Sequence, residues 1–194
     1  MTSTRPALAL LACVAALALG CSSGSDPTTA PPVDDHPELD DVVFQGDGNA
    51  DELAAMLLKT PLTSAPAAPE YTAPPPDSVF TKGAPIPTFR WQLEDPSGAP
   101  AHEEAGLATR TYITFGTDFD AGLVRVFTSG TSFTPDAEAW KKLSVGTWVA
   151  GDIFVATYDS SDALQGDVVE GLAVLFCSNM VADAWSPPPP SGSE

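Results

Sequence analysis

Basic side chains are scarce in this chain. Its 194 residues include 8 Lys and Arg against 26 Asp and Glu, which gives a formal net charge of −18 at pH 7. Phosphate backbones and anionic lipid headgroups repel a surface of this sign. We therefore predict no nucleic-acid partner, and we attribute the acidity to solubility.

Histidine is also scarce, with only 2 residues, His36 and His102. The segment His102 to Gly106 begins like a zinc-protease motif, but it has no second His four residues after the first. The sequence has neither a nucleophile elbow nor a phosphate-binding loop with its Lys. We predict no catalytic residue, no metal ligand and no cofactor, and a hydrolase that uses His102 is the weaker alternative.

One long apolar run is present, near the amino end. Arg5 precedes the small and apolar residues Ala7 to Leu19, and Gly20 and Cys21 follow them. The run is too short to cross a hydrocarbon layer of about 30 Å comfortably, and no basic patch follows it. This layout is typical of a bacterial export signal that is cleaved after translocation.

The segment Leu17 to Cys21 resembles the lipobox of bacterial lipoproteins. The resemblance implies that Cys21 is acylated with lipid chains such as palmitate, that cleavage falls between Gly20 and Cys21, and that membrane lipid is a partner. Where the sorting rule of enteric bacteria applies, Ser22 directs such a protein to the outer membrane. The alternative is an ordinary secretory signal with an incidental cysteine.

The remaining cysteine has no partner for a disulfide. Cys13 leaves with the signal and Cys21 is acylated, so Cys177 is alone in the folded part. It lies in the strand-like run that begins at Leu172. We predict that Cys177 is a small buried apolar side chain.

Composition divides the chain into six segments. Pro, Ser and Thr dominate the regions that we expect to be unstructured, and apolar patterning marks the others. His36, surrounded by carboxylates, is expected to be solvated. The predicted segments are a signal peptide at 1–20, a disordered tether at 21–39, a short strand with an amphipathic helix at 40–61, a Pro-rich linker at 62–78, a β-domain at 79–178 and a disordered tail at 179–194.

Two helices are predicted from capping residues and apolar spacing. Asn49 caps the first, with Glu52 at its third position. Thr134 caps the second, with Pro135 at the first helical position. The apolar residues that share a helix face are Leu53, Met56 and Leu57 in the first helix, and Ala137, Trp140 and Leu143 in the second.

Apolar and polar residues alternate in five runs that turn residues separate. The runs are Phe89–Leu93, Thr111–Phe115, Leu123–Thr128, Ile153–Tyr158 and Leu172–Phe176. Short strands with turns between them predict a mainly β fold. Its expected form is an antiparallel β-sandwich with one inserted short helix, preceded by a short amphipathic helix.

The run Pro85 to Trp91 resembles the Pro-x-Phe-x-Trp entry of fibronectin type III-like and immunoglobulin-like modules, with Thr111 to Phe115 in the place of their central strand. The region from Leu123 to Trp140 is similar to segments of uncharacterised surface lipoproteins of Gram-negative bacteria. These resemblances imply a sandwich fold in the cell envelope. They imply no catalytic residue, because such modules share none.

Two patterns indicate binding. Asp118 and Asp120, with Asp159, Asp162 and Asp167 in later loops, would suit calcium if the loops met, although solvated turn aspartates are favoured. Trp148, Tyr158 and Trp185 would suit sugar rings, whereas Trp91 and Trp140 are expected in the core.

From the sequence we expect a membrane-anchored bacterial lipoprotein that is not an enzyme. Its folded part is expected to be a non-catalytic binding or structural component of the cell envelope, with an envelope protein or a glycan as its partner. A glycan-binding or adhesion module is the first alternative, and the hydrolase is the second.

Overall fold

The computed structural model describes residues 36–63, 68–93 and 106–179. The predicted signal peptide with Gly20 and Cys21, most of the tether, His102 and Trp185 in the tail lie outside these residues. The described part is mainly β, with two sheets and two α-helices.

The elements follow one another along the chain from a 3-10 helix at Pro37–Leu39. The strands are β1 (Val42–Gln45), β2 (Leu62–Thr63), β3 (Glu70–Ala73), β4 (Ser78–Phe80), β5 (Phe89–Gln92), β6 (Ala108–Thr117), β7 (Asp120–Thr128), β8 (Ser132–Phe133), β9 (Val145–Tyr158), β10 (Leu164–Glu170) and β11 (Val174–Asn179); the helices are α1 (Ala50–Leu57) and α2 (Ala137–Leu143).

The main sheet is mixed, with the order β1-β7-β6-β9-β10-β2. The central pairs β7–β6, β6–β9 and β9–β10 are antiparallel. The outer pairs β1–β7, β2–β10 and β4–β11 are parallel. The predicted antiparallel pairing is therefore confirmed for the central strands, and the parallel outer pairs depart from it. Strands from the amino-terminal half join the sheet at its periphery, and their pairing direction is not set by a hairpin.

Strand β9 is 14 residues long and connects the two branches of this sheet. Along one side it pairs with β6 over residues 150–158. Along its other side it pairs first with β11 and then with β10. The sequence pattern revealed only the second half of β9, from Ile153 to Tyr158.

A second sheet, with the order β3-β5-β8, covers one face of the main sheet together with α2. The predicted alternation in β5 is confirmed, because Phe89 and Trp91 are buried and the residues between and after them are exposed. Phe89 packs against Phe115 and Phe176, with ring centroids 4.8 and 5.1 Å away. Aromatic side chains from both sheets therefore fill this core.

Helix α2 begins later than its sequence predicted. Its N-cap is Asp136, whose side chain accepts a hydrogen bond of 2.7 Å from the backbone N–H of Ala139. Thr134 and Pro135 therefore precede the helix. Trp140 and Leu143 are buried as expected, whereas Ala137 is exposed.

Helix α1 covers part of the opposite face, and its predicted cap is confirmed. The Asn49 side chain accepts from the backbone N–H of Glu52 at 2.9 Å, and the Glu52 carboxylate accepts from the backbone N–H of Asn49 at 3.1 Å. Leu53 and Met56 pack on the sheet, while Leu57 is largely exposed. Gly48 permits this close approach, because a Cβ there would lie 2.8 Å from the Phe127 ring.

Several segment boundaries differ from those predicted. Leu39, assigned to the tether, is buried in the core beneath α1, and His36 contacts Glu38 and Asp51 rather than solvent alone. The predicted linker at 62–78 contains β2, β3 and the start of β4. The strand and helix at 40–61 belong to the same sheet and core as the later strands.

Candidate binding site

The aspartates considered for calcium lie at opposite ends of the main sheet. Asp118 lies in the turn between β6 and β7 and Asp120 begins β7, whereas Asp159 and Asp162 belong to the turn between β9 and β10 and Asp167 lies in β10. Ala108 pairs with Tyr158 and Gly116 with Ala150, so about 25–30 Å of strand separates the two turns. Within the described residues no group of three or more His, Cys, Asp or Glu could hold a metal ion.

Asp159 is a turn residue, as the favoured interpretation predicted. Its carboxylate accepts hydrogen bonds from the backbone N–H of Ser161 at 2.8 Å, from the Ser161 hydroxyl at 2.6 Å and from the backbone N–H of Ala163 at 3.2 Å. These donors hold the pKa of the carboxyl below its usual value. All three hydrogen bonds stabilise the turn, and the same carboxylate oxygen, Oδ1 of Asp159, accepts them.

The predicted aromatic platform does not assemble. Tyr158 is fully buried and its hydroxyl donates to the Glu52 carbonyl at 2.7 Å, so it cannot meet a sugar ring. Trp91 and Trp140 are core residues, as expected. Trp148 is half-buried on β9, and Trp185 lies outside the described residues.

Cys177 is buried, as predicted. Its thiol lies 2.8 Å from the Thr147 carbonyl, to which it donates, and burial raises its pKa to about 11. The side chain is therefore a neutral thiol at physiological pH and lacks the thiolate that nucleophilic chemistry needs.

A buried ion pair fixes α1 on the sheet. The Arg110 Nε atom donates to the Glu52 carboxylate at 2.9 Å, and Glu52 is fully buried. The Arg110 guanidinium also reaches the Asp47 carbonyl at 3.5 Å. The contact joins a residue of α1 to the centre of the main sheet, and it determines where α1 lies.

Helix α1 leaves part of its sheet face uncovered. Along β9 the alternate residues Ala156 and Tyr158 are buried in the core beneath α1. Earlier in the same strand, Trp148, Asp152 and Phe154 are only half-buried. Alternation places these residues on one face of the sheet, so among the described residues this face is less buried beyond the carboxyl end of α1, and we call it the open face.

A groove of about 240 Å³ lies where α1 ends and the open face begins. Its floor includes Tyr112 and Phe154, whose rings are stacked with centroids 6.0 Å apart. The residues that line it are Met56, Leu57, Lys59, Pro61, Tyr112, Thr114, Phe154 and Val168. We call this site the α1 groove.

One exposed leucine, Leu57, lines the α1 groove, and two more, Leu58 and Leu62, are next to lining residues in the chain. Leu58 is 88 % exposed, and Leu57 and Leu62 are each 47 % exposed. Leu62 belongs to β2, which pairs with β10 beside Val168. Large apolar side chains that are grouped at a concave site are typical of binding surfaces.

Charge around the α1 groove is unequal. Lys59 is the one cationic residue among those lining it. On the sheet side, Asp152 is in register with Thr114, and burial raises the pKa of its carboxyl. Burial is also the main cause that raises the pKa of Tyr112. The one cation that lines the groove therefore lies at its helix side, whereas Arg125, which contacts Tyr112 on the sheet side, is already paired with the Asp41 carboxylate.

Two other cavities are less suited to a ligand. One of about 190 Å³ lies between β1, β7 and α2, and acidic residues and Lys142 form part of its wall. Another of about 330 Å³ is lined by Thr63, Ala68, Glu170, Gly171 and Leu172, and two of these residues flank in sequence the segment 64–67, which is not described. All the residues that line the α1 groove form one apolar site with a single cation, so it is the candidate site.

The sequence did not reveal this groove. Its floor comes from β6 and β9 and its wall from α1, more than fifty residues earlier in the chain. The available signal was the run Leu57, Leu58 and Lys59, where two leucines are followed by a cation and then Pro61. Leu57 was predicted to share the apolar helix face that docks on the following domain or, as the alternative, on a partner, and Leu58 was given no role.

Comparisons with protein-family models, with curated proteins and with solved structures give no match to this chain. Among the described residues, no helix has the length and apolar character needed to span a bilayer.

Proposed function

We propose that this protein is a lipid-anchored lipoprotein of the bacterial cell envelope whose folded part binds a partner without catalysing a reaction. Acylation at Cys21, after cleavage that follows Gly20, would supply the anchor. The α1 groove would supply the binding surface.

The sequence supports the location. The apolar run that ends at Gly20 and Cys21 has the layout of a lipoprotein signal, and acyl chains on Cys21 would give stable anchoring. The net charge of −18 would keep the folded part soluble and away from anionic headgroups. The outer membrane is the proposed destination, on the basis of Ser22.

The α1 groove is the observation that carries the binding role. An apolar concavity with exposed leucines at its rim loses little by desolvation when a partner covers it. The neutral, buried thiol of Cys177 supports a non-catalytic role for that residue.

A fibronectin type III-like or immunoglobulin-like relationship is also part of the proposal. The packing of two sheets around Phe89 and Trp91 supports it. The mixed main sheet and the two helices would be additions to that plan.

Mass spectrometry of the protein purified from a Gram-negative host tests the location. We expect a mature form that begins at Cys21 and carries acyl chains, and we expect Cys21→Ser to move the protein from the membrane fraction to the soluble fraction. A chain without acyl groups that still fractionates with membranes would contradict the proposal.

A glycan partner is the second candidate, because the open face carries Trp148 and Asp152 on one strand. The two residues are four positions, or about 13 Å, apart along β9, so the ring and the carboxylate would contact different sugar residues of an extended glycan. Retention on envelope polysaccharide that Trp148→Ala abolishes would favour this candidate. The hydrolase alternative relied on His102, which lies outside the described residues.

A further inference from the structure

We propose that the α1 groove binds a free fatty carboxylate, with the carboxylate at Lys59 and the acyl chain across Tyr112 and Phe154. This inference rests on the binding role proposed for the groove, and it names the ligand class.

The lining of the groove fits one apolar chain. Six of its residues present mainly hydrocarbon, sulfur or aromatic surface: Met56, Leu57, Pro61, Tyr112, Phe154 and Val168. The volume of about 240 Å³ is below the roughly 300–1,000 Å³ that is usual for compact organic ligands. A single flexible chain fills such a space, whereas a fused-ring ligand or a two-chain lipid does not.

The charges orient the chain. Lys59 is exposed at the helix side, where its ammonium can meet a carboxylate while its methylenes extend the apolar wall. On the sheet side Asp152 lies beside Thr114 and would repel a carboxylate, while Arg125, on the other side of Thr114, is already paired with Asp41. The head group therefore lies at Lys59, and the tail points over the stacked rings.

The net charge distinguishes a free fatty acid from a bilayer. A protein of net charge −18 is repelled by a surface of many anionic headgroups, but one carboxylate next to one lysine is not subject to that summed repulsion. The ligand is therefore the free fatty carboxylate, and anionic vesicles are the probe that tests binding to a bilayer instead.

Calorimetric titration of dodecanoate into the full chain carrying Cys21→Ser tests the proposal. We expect saturable binding that Lys59→Glu weakens by about tenfold or more, which corresponds to losing one favourable charge contact. Lys141→Glu is the matched control, because Lys141 lies on α2 at the opposite face and is exposed. All variants contain the apolar segment at 7–19, so differences between them report the groove.

Varying the chain length and the head group of the ligand provides two further tests. Each methylene removed from the ligand should weaken binding by about fourfold while the chain still lies in the groove. Dodecanol should bind the Lys59→Glu variant and the parent within about twofold, because it has no charge. Leu57→Asn, an exposed position, should weaken both ligands without changing the melting temperature.

Three results would overturn the inference: no saturable binding of dodecanoate, equal weakening by Lys59→Glu and Lys141→Glu, or binding of anionic vesicles in place of the free acid. Polysaccharide binding that depends on Trp148 would assign the open face to a glycan instead. None of these results would affect acylation of Cys21 or membrane fractionation, so failure of this inference is distinguishable from failure of the proposed location.

Discussion

The contact between Glu52 and Arg110 is a buried ion pair that joins α1 to the main sheet. Glu52 is fully buried, and one of its carboxylate oxygens has no hydrogen-bond partner in the described structure. Burying this carboxylate is costly, and the Arg110 guanidinium 2.9 Å away offsets that cost. The two charges therefore compensate each other, and removing either one destabilises the fold because the other is left buried without its partner.

We predict that Arg110→Met lowers the free energy of unfolding by about 3–5 kcal/mol, because it leaves the buried Glu52 carboxylate unpaired. The double variant Glu52→Leu, Arg110→Met should recover most of this loss, since it buries no lone charge. Urea denaturation of the single and double variants gives the comparison. A double variant no more stable than Arg110→Met would contradict the prediction.

His36 forms a pH-dependent contact at the amino end of the described chain. Its ring nitrogens lie 3.1 Å from Glu38 and 3.0 Å from Asp51, and these carboxylates raise its pKa above the ordinary 6.5. A raised folded-state pKa means that the contact stabilises the fold fully below pH 6.5. This contribution is then lost as the pH rises through the higher folded-state value.

We predict that an NMR titration of the His36 ring gives a pKa above 6.5, and that Asp51→Asn lowers it. Asp51 is in the first turn of α1, so Asp51→Ser is a second variant that keeps a good helix-start residue there. The prediction is wrong if the Asp51 variants leave the His36 pKa unchanged.

At the level of elements, α1 shows what local sequence determines. Its cap involves residues three positions apart, Asn49 and Glu52, and such pairs follow from sequence spacing. Strand β5 was predicted for the same reason, since its alternation is local. By contrast, Arg110 lies 58 residues from Glu52, and no periodicity connects them.

We predict that Asn49→Ala lowers the free energy of unfolding by about 1 kcal/mol, through loss of the cap on α1. The Asn49 amide also donates to Asp162 at 3.3 Å, on an exposed turn. Asp162→Gly removes that contact, keeps the cap and suits the positive φ of 59° at this position, so it is the control and should change stability by at most about 0.5 kcal/mol. Thermal unfolding followed by circular dichroism compares the two variants.

Strand β10 was missed because its sequence does not alternate regularly. Gly166 has a positive φ of 72°, and the register with β9 shifts between Gln165 and Val169. A bulge of this kind interrupts the period of two on which strand prediction depends. The short strand β1 was predicted, but its parallel pairing was not, because its partner is distant in the chain, as in the pairing of Val42 with Arg125.

At the scale of the whole molecule, the main sheet is shared by two cores. In β6, Ile113 and Phe115 face the second sheet, and Tyr112 faces α1. A strand buried on both faces loses the simple alternation of apolar and polar residues. The sequence therefore indicated one core between two sheets, whereas the sheet has a core on each side.

We predict that the two cores unfold together. Leu53→Ala, in the core beneath α1, should lower the free energy of unfolding by about 2–5 kcal/mol. It should lower the midpoint of the unfolding transition in the near-ultraviolet signal, to which Trp91 and Trp140 on the other face contribute. The midpoint in the far-ultraviolet signal should fall by the same amount. Two separate transitions would show that the cores are independent.

The eight residues of α1 bring together a titrating contact at their amino end and a ligand wall at their carboxyl end. Any change that stabilises the packed position of α1 on the sheet therefore favours both the His36 contact and ligand binding in the groove. By thermodynamic reciprocity, any factor by which His36 protonation tightens fatty-acid binding equals the factor by which the bound fatty acid raises proton affinity at His36. If protonation of His36 tightens binding of the proposed ligand, mild acidification favours loading and a return towards alkaline conditions favours release.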